Sequence, residues 1–185
     1  MVASEELSKF VDYTDRSSCV LFGDGAAAFV LETAEDTTHS SFLGADGNGA
    51  KYLASRALKS ENAFRTNSEE FDMDMPETKD YFFKQDGKEV YKFATKALPN
   101  AVEQACAKIE ISPDDLDWIV PHQANIRIIE TAAKHLGVSM DKFPVYIDRY
   151  GNTSSASIPI AFCDAVAEGL SLIHISEPTR LRCIS

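Results

Sequence analysis

His122 and Asn152 are the residues of this chain best placed to do chemistry. His122 follows Trp118-Ile119-Val120-Pro121, an apolar run that reads as a strand, and precedes a helical pattern. In α/β layering, ligand sites form where strands end and helices begin. A histidine there is a candidate acid, base or hydrogen-bond donor, although a lone histidine is more often structural. Asn152 has a similar place, after the apolar run Phe143 to Ile147 and before another helical pattern. Taken alone it reads as a turn or cap residue. Ser154, Ser155 and Ser157 invite a serine hydrolase reading, but no G-x-S-x-G elbow is present.

The elements that must hold these residues follow from periodicity. Between Gly87 and Ile109, Val90, Phe93, Ala94, Ala97, Ala101, Val102, Ala105 and Cys106 recur at helical steps. Pro99 inside that pattern predicts a kink or restart. Ser112-Pro113-Asp114-Asp115 reads as a capped turn. Trp118 to Val120 and Phe143 to Ile147 read as buried strands. Ala124 to His135 reads as a helix stopped by Gly137, and a further helix runs from about Thr153 to Glu168. The order helix, strand, helix, strand, helix predicts an α/β fold with a mostly parallel sheet.

Upstream, Val11 to Ser18 is turn-like. Cys19 to Phe22 and Ala26 to Leu31 read as strands, or one long strand bent at Gly23-Asp24-Gly25. Gly23 to Ala28 also fits a loose G-x-G-x-x-A dinucleotide fingerprint. A strand, not a helix, is expected after it, and Asp24 would repel phosphates, so close backbone packing is the better account of the glycines. From Glu35 to Asp86 the sequence is irregular, a surface excursion with short strands. The acids of Glu69 to Glu77 read there as a solvated face, not a metal site.

Composition narrows the function. The chain has 185 residues, 44% hydrophobic and 25% charged, which suits a soluble globular protein. No apolar run is long enough to cross a bilayer, and Met1 to Phe10 does not read as a signal peptide. A formal net charge of -11 argues against a general nucleic-acid binder. Cys19, Cys106, Cys163 and Cys183 form no Cys-x-x-Cys motif, and no histidine is spaced to complete a metal site. A reducing, cytoplasmic compartment with small buried thiols is expected.

The C-terminus breaks the pattern. Leu170-Ser-Leu-Ile-His-Ile-Ser-Glu-Pro-Thr-Arg180 resembles the translation of a transposase sequencing adapter, with Leu181 to Cys183 as an index and Ile184-Ser185 as further adapter. Residues 170–185 are therefore expected to be non-native and are set apart from the fold. Without them, 16 of the 18 basic and 28 of the 29 acidic residues remain, a net charge of -12.

Two segments carry a family resemblance. Val120-Pro-His-Gln-Ala-Asn-Ile-Arg-Ile-Ile129 and Gly151-Asn-Thr-Ser-Ser-Ala-Ser-Ile-Pro159 closely resemble β-ketoacyl-[acyl carrier protein] synthase III. Asp12 to Arg16, Leu21 to Ala26 and Gly87 to Phe93 resemble further parts of the same family, in correct order. The resemblance implies a thiolase-like α/β fold. Residues 1–86 would be the end of its N-terminal half plus the excursion, and 87–169 an incomplete C-terminal half.

It further implies a Cys, His and Asn triad, with His122 and Asn152 matching the last two. In that family the Cys takes an acyl group from acyl-CoA. Malonyl-[acyl carrier protein] then loses carbon dioxide, and the carbanion attacks the acyl thioester. Neutral imidazole and carboxamide donors would stabilise the enolate. The nucleophilic Cys is expected upstream of Met1, since none of the cysteines here matches its motif. The fragment alone is then expected to be inactive.

Arg127, Lys92 and Lys134 match basic positions of the family's carrier-protein patch, and His135 falls where another basic residue is common. The implied partners are acyl carrier protein and acyl-CoA, with a homodimer in the full-length family. No cofactor, metal, membrane or nucleic acid is implied. A related condensing enzyme of polyketide or secondary metabolism, and a non-catalytic binding fragment, are the alternatives.

Overall fold

A computed structural model describes residues 1–30, 38–55 and 82–169. Its first element comes from alternation that the mixed composition of Met1 to Phe10 conceals. In β1 (Val2–Glu6) exposed and half-buried residues alternate, and the strand pairs antiparallel with β2 (Asp24–Ala28), from Val2 opposite Ala28 to Glu6 opposite Asp24. The inner residues of β2 are small because other backbone lies close. A Cβ on Gly23, just before β2, would stand 2.4 Å from the Tyr150 carbonyl oxygen. One on Gly25 would stand 2.8 Å from Ile160 Cδ1. Close packing therefore explains these glycines. The glycines run into β2 and not into a helix, and the Asp24 carboxylate accepts from the Ser8 N–H (2.8 Å) and hydroxyl (2.6 Å), which disfavours a pyrophosphate cradle there.

Cys19–Phe22 is not a strand. Val11 to Ser18 is turn-like as expected, and the turns continue to Leu21, which donates to the Ser18 carbonyl. Asp15 is the cause. Its carboxylate accepts from the Ser17 N–H (2.9 Å) and from the hydroxyls of Ser17 (2.7 Å) and Ser18 (2.8 Å). Its carbonyl accepts from the Ser18 and Cys19 N–H groups. Local side-chain capture outcompetes β propensity here, and Val20 is left exposed.

The segment 38–55 is irregular apart from a 3-10 turn over Gly47–Tyr52 and β3 (Leu53–Ala54), which pairs with β4 (Lys84–Gln85). Glu69 to Glu77 and the adapter-like tail lie outside the described residues. Asp86 then caps α1 (Gly87–Ala107), its carboxylate accepting from the Lys88 and Glu89 N–H groups. The helix passes through Pro99 without a restart, the proline being buried against its neighbours.

Ser112 opens the expected turn with a full capping box. α2 (Ile126–Leu136) is capped by Asn125 and ends at Gly137, whose φ of 71° is the left-handed region glycine favours. It buries Ile128, Ile129, Ala132 and Ala133. α3 (Ile147–Tyr150) is a single turn, and a 3-10 turn over Ser154–Ala156 leads into α4 (Ser157–Ala167).

Trp118–Val120 and Phe143–Ile147 are extended segments but form no ladder among the described residues, and Ile147 already begins α3. One backbone bond ties the first segment to the residue just before the second, Ile119 N–H to the Lys142 carbonyl (2.9 Å). Prolines explain the missing ladder. Pro121 and Pro144 lack the N–H a ladder needs. The described ladders are antiparallel, and the one isolated bridge, Phe22 with Asn152, is parallel. The segments still build the core. Ile119 and Phe143 pack with Ile129, Ala133 and Val138, and Tyr146 packs with Ala161 and Ala165 against Val120.

Candidate functional site

The site grows from two junctions. At the first, the chain leaves the extended run at Pro121 and enters α2 at Ile126. Gln123 fixes this turn from inside. It is 2% exposed, and its amide nitrogen donates to the carbonyls of Pro121 (3.0 Å) and Pro144 (3.2 Å). Its Oε1 accepts from the Tyr146 N–H (3.0 Å). The glutamine thus takes the place of the ladder bonds the prolines prevent. With Gln123 pointing inward, His122 is left on the exposed side of the turn.

At the second junction the backbone of Asn152 is held against the Gly23 region. Its N–H donates to the Leu21 carbonyl (3.0 Å) and its carbonyl accepts from the Gly23 N–H (2.9 Å). The Asn152 side-chain oxygen accepts from the Ser154 N–H (2.9 Å). That leaves the carboxamide N–H pair as what the side chain can offer a ligand. Ser154 adopts φ 49°, uncommon for a residue with a side chain, at a cost on the order of 1 kcal/mol. Thr153 beside it is fully buried.

The 3-10 turn between Asn152 and α4 joins the two junctions. His122 Nδ1 lies 2.6 Å from the Ser157 hydroxyl oxygen, which also accepts from the Gln123 N–H (3.1 Å). The same hydroxyl reaches the Ser154 carbonyl (2.8 Å). So His122 and Asn152 are both tethered to residues 154–157, His122 through Ser157 and Asn152 through the Ser154 N–H. Protein crowding around the imidazole pushes its pKa down, opposed by a hydrogen bond with the Ser154 backbone. The ring is therefore held in its neutral form near pH 7, able to donate from one nitrogen. Two neutral donors tethered to one turn can stabilise negative charge developing on a ligand oxygen.

Arg127, Lys134 and Lys92 are all exposed. Arg127 and Lys134 lie two turns apart on α2. The Tyr91 hydroxyl is 3.1 Å from Thr131 Oγ1, which donates to the Arg127 carbonyl. This contact sets the α1 turn bearing Lys92 against the α2 turn that follows Arg127. Lys92 is ion-paired with Glu89 (2.5 Å), which raises its pKa. It lines an open groove of about 670 Å³ with Lys51, Lys96 and the exposed Phe93, outside the His122 and Asn152 cluster. His135 faces Glu103 at 3.6 Å.

The cysteines divide. Cys106 is buried, and burial pushes its thiol up. Cys19 is a half-buried free thiol in the turn region. Cys163 is half-buried within α4. Among the described residues no group of acids, histidines and cysteines could hold a metal ion, and no helix is long and apolar enough to cross a membrane.

Sequence reasoning treated Ser157 only as part of a weak hydrolase motif and gave Gln123 no role. Their signals were a hydroxyl at the first position of α4 and a glutamine two residues after Pro121. Both needed tertiary context to be read.

Comparison with known proteins points the same way. Residues 106–172 match the family described as 3-oxoacyl-[acyl-carrier-protein (ACP)] synthase III C terminal, and residues 1–61 match 3-oxoacyl-[acyl-carrier-protein (ACP)] synthase III. The chain is 44% identical over 162 residues to β-ketoacyl-[acyl-carrier-protein] synthase III of Clostridium novyi, covering 87% of this chain and 48% of that protein. The solved structure of the Thermus thermophilus β-ketoacyl-[acyl carrier protein] synthase III has a TM-score of 0.74 at 40% identity, over 91% of this chain and 50% of that one. The priming β-ketosynthase of the R1128 polyketide biosynthetic pathway has a TM-score of 0.66 at 29% identity, over 91% and 48%. The chain thus spans about half the length of the relatives it matches. These likenesses bear out the α/β, thiolase-like fold class.

Proposed function

We propose that this chain, which belongs to the β-ketoacyl-[acyl-carrier-protein] synthase III family, carries two of the three catalytic groups of a decarboxylative Claisen condensation that initiates fatty acid synthesis. The observation that carries the reading is the tethering of His122 and Asn152 to one turn, residues 154–157. When malonyl-[acyl carrier protein] loses carbon dioxide, its electron pair passes onto the thioester oxygen. The His122 ring N–H and the Asn152 amide N–H stabilise that enolate. The enolate carbon then attacks the acyl thioester and expels the thiolate that carried it.

The acyl-carrying thiolate belongs to a cysteine outside this chain. Cys106 is buried with a raised thiol pKa, Cys163 lies inside α4 and not at its N-terminus, Cys19 sits in a turn region with no helix N-terminus to activate it, and Cys183 belongs to the adapter-like tail outside the described residues. The full-length enzyme uses acyl-CoA and acyl carrier protein, works as a cytoplasmic homodimer and needs no cofactor or metal. Arg127, Lys92 and Lys134 form part of the surface that meets the acidic carrier protein.

The likeness to a polyketide priming ketosynthase favours a second reading, the same chemistry with a secondary-metabolite acyl chain. The test is condensation of acyl-CoA with malonyl-[acyl carrier protein]. A version extended to the relatives' length is expected to condense them, and the 185-residue chain is not. Condensation by the unextended chain would place the nucleophile within it and overturn the proposal.

A further inference from the structure

We infer that Glu5, on β1, is a positioning residue that holds the Ser154–Ser155 peptide group on which His122 and Asn152 are set. Its Oε1 accepts from the Ser155 N–H (3.3 Å) and from the Ser155 hydroxyl, across 150 positions of sequence. The ladder explains the reach. Glu5 stands opposite Gly25, so the two share a face of the β1–β2 ribbon. A Cβ on Gly25 would come within 3.2 Å of Thr153 and 2.8 Å of Ile160, so this face lies directly against the turn that leads into α4. Glu6 belongs to the other face and pairs with Lys9 (2.6 Å). Glu5 forms no ion pair among the described residues, and its charge serves the two bonds to Ser155.

That peptide group serves different partners at its two ends. The Ser154 carbonyl accepts from the Ser157 hydroxyl (2.8 Å), whose oxygen lies 2.6 Å from His122 Nδ1. The Ser154 backbone also hydrogen-bonds the imidazole directly. A trans peptide is planar, and its N–H and C=O point in opposite directions. Holding the Ser155 N–H toward Glu5 therefore holds the Ser154 carbonyl toward Ser157 and His122. Turned over, that carbonyl oxygen would face the Glu5 carboxylate, negative against negative. The preceding peptide group is fixed by Asn152, whose side-chain oxygen accepts from the Ser154 N–H (2.9 Å). Ser154 thus keeps its φ of 49° between two captured N–H groups, the over-determined setting such a conformation requires. Glu5 acts through this turn and not on a ligand. Its value to catalysis rests on the function proposed above, but the clamp itself does not.

The test is backbone amide hydrogen exchange in the 185-residue chain, read together with the ¹⁵N signals of the His122 ring, which His122→Ala assigns. Glu5→Ala is expected to speed exchange at Ser154 and Ser155 by about tenfold or more, as loss of a charged acceptor implies, and to shift the ring signals. Glu5→Gln still accepts from the same N–H and is expected to keep the parent pattern. Glu6→Ala, on the other face, is expected to change neither readout. Parent exchange and ring signals in Glu5→Ala overturn the assignment, and so does an equal loosening from Glu6→Ala. The parent chain also gives a check that needs no variant. Its Ser155 amide proton is expected to shift in step with titration of the Glu5 carboxyl, and a proton that ignores that titration overturns the contact. In an enzyme extended to the relatives' length, Glu5→Ala is expected to lower kcat for carbon dioxide release about tenfold, with little change in KM for malonyl-[acyl carrier protein]. An unchanged kcat in a variant whose turn has loosened as expected would support the clamp and count against the proposed function instead.

Discussion

The two junctions and the basic helix faces are built in opposite ways. Around His122 and Asn152, the polar atoms of Gln123 and Ser157 are buried and bonded, the glycines are in contact, and one backbone residue is strained. On α1 and α2, Lys92, Arg127 and Lys134 stand in solvent, and the ion pair of Lys92 is local to its own helix. Precision is concentrated at the junctions. Stabilising an oxygen that bears charge only transiently needs donors fixed to a fraction of an ångström, which a buried network supplies. Attracting an acidic protein needs charge, which tolerates mobile side chains. Substitutions should therefore change stability at the junctions and long-range association at the helix faces.

The largest stability effect is expected at Gln123. Gln123→Leu keeps the volume but strands the Pro121 and Pro144 carbonyls and the Tyr146 N–H, and is expected to cost roughly 3 kcal/mol in denaturant unfolding. Gly23→Ala comes next. Its methyl would meet the Tyr150 carbonyl, a backbone atom that cannot swing aside, so about 2 kcal/mol of destabilisation is expected.

A smaller effect comes from His122. Its pKa is lower folded than unfolded, so the unfolded chain binds the proton more readily. The stability contribution is complete above the ordinary histidine value near 6.5 and is lost as pH falls through the folded value. Comparing unfolding of the parent and His122→Gln between pH 8 and pH 5 reads this out as a steeper acid loss in the parent. The smallest effect is expected at Arg127. Arg127→Glu should shift stability by less than about 0.5 kcal/mol. In an extended enzyme it should still weaken use of the carrier protein, with little change in reaction with acyl-CoA. A large stability loss at Arg127, or none at Gln123, would erase the contrast between the regions.

Much of this was legible in the sequence, for physical reasons. α1 and α2 announced themselves through helical periodicity, Asn125 as a cap and Gly137 as a stop. Gly23 and Gly25 were read as sites of close packing, and contact with Tyr150 and Ile160 accounts for them. His122 and Asn152 were placed at junctions by their position after apolar runs.

The failures have causes too. Apolar runs at 118–120 and 143–147 mark burial but not pairing, and the prolines beside them remove ladder donors. Cys19–Phe22 has β-forming residues, yet Asp15 just upstream captures the chain into turns. β1 was hidden because only alternate positions of Val2–Glu6 are half-buried. The link through Ser157 depends on tertiary proximity of residues 35 positions apart, which no local pattern encodes.

What is proposed for His122 and Asn152 is that they act together as donors to one developing oxyanion. It is tested most directly by the rate of carbon dioxide release from malonyl-[acyl carrier protein] in a version of the chain extended to the relatives' length. His122→Ala and Asn152→Ala are each expected to slow release by about a hundredfold or more, with the folded structure intact. Release at the parent rate from either variant would contradict the account.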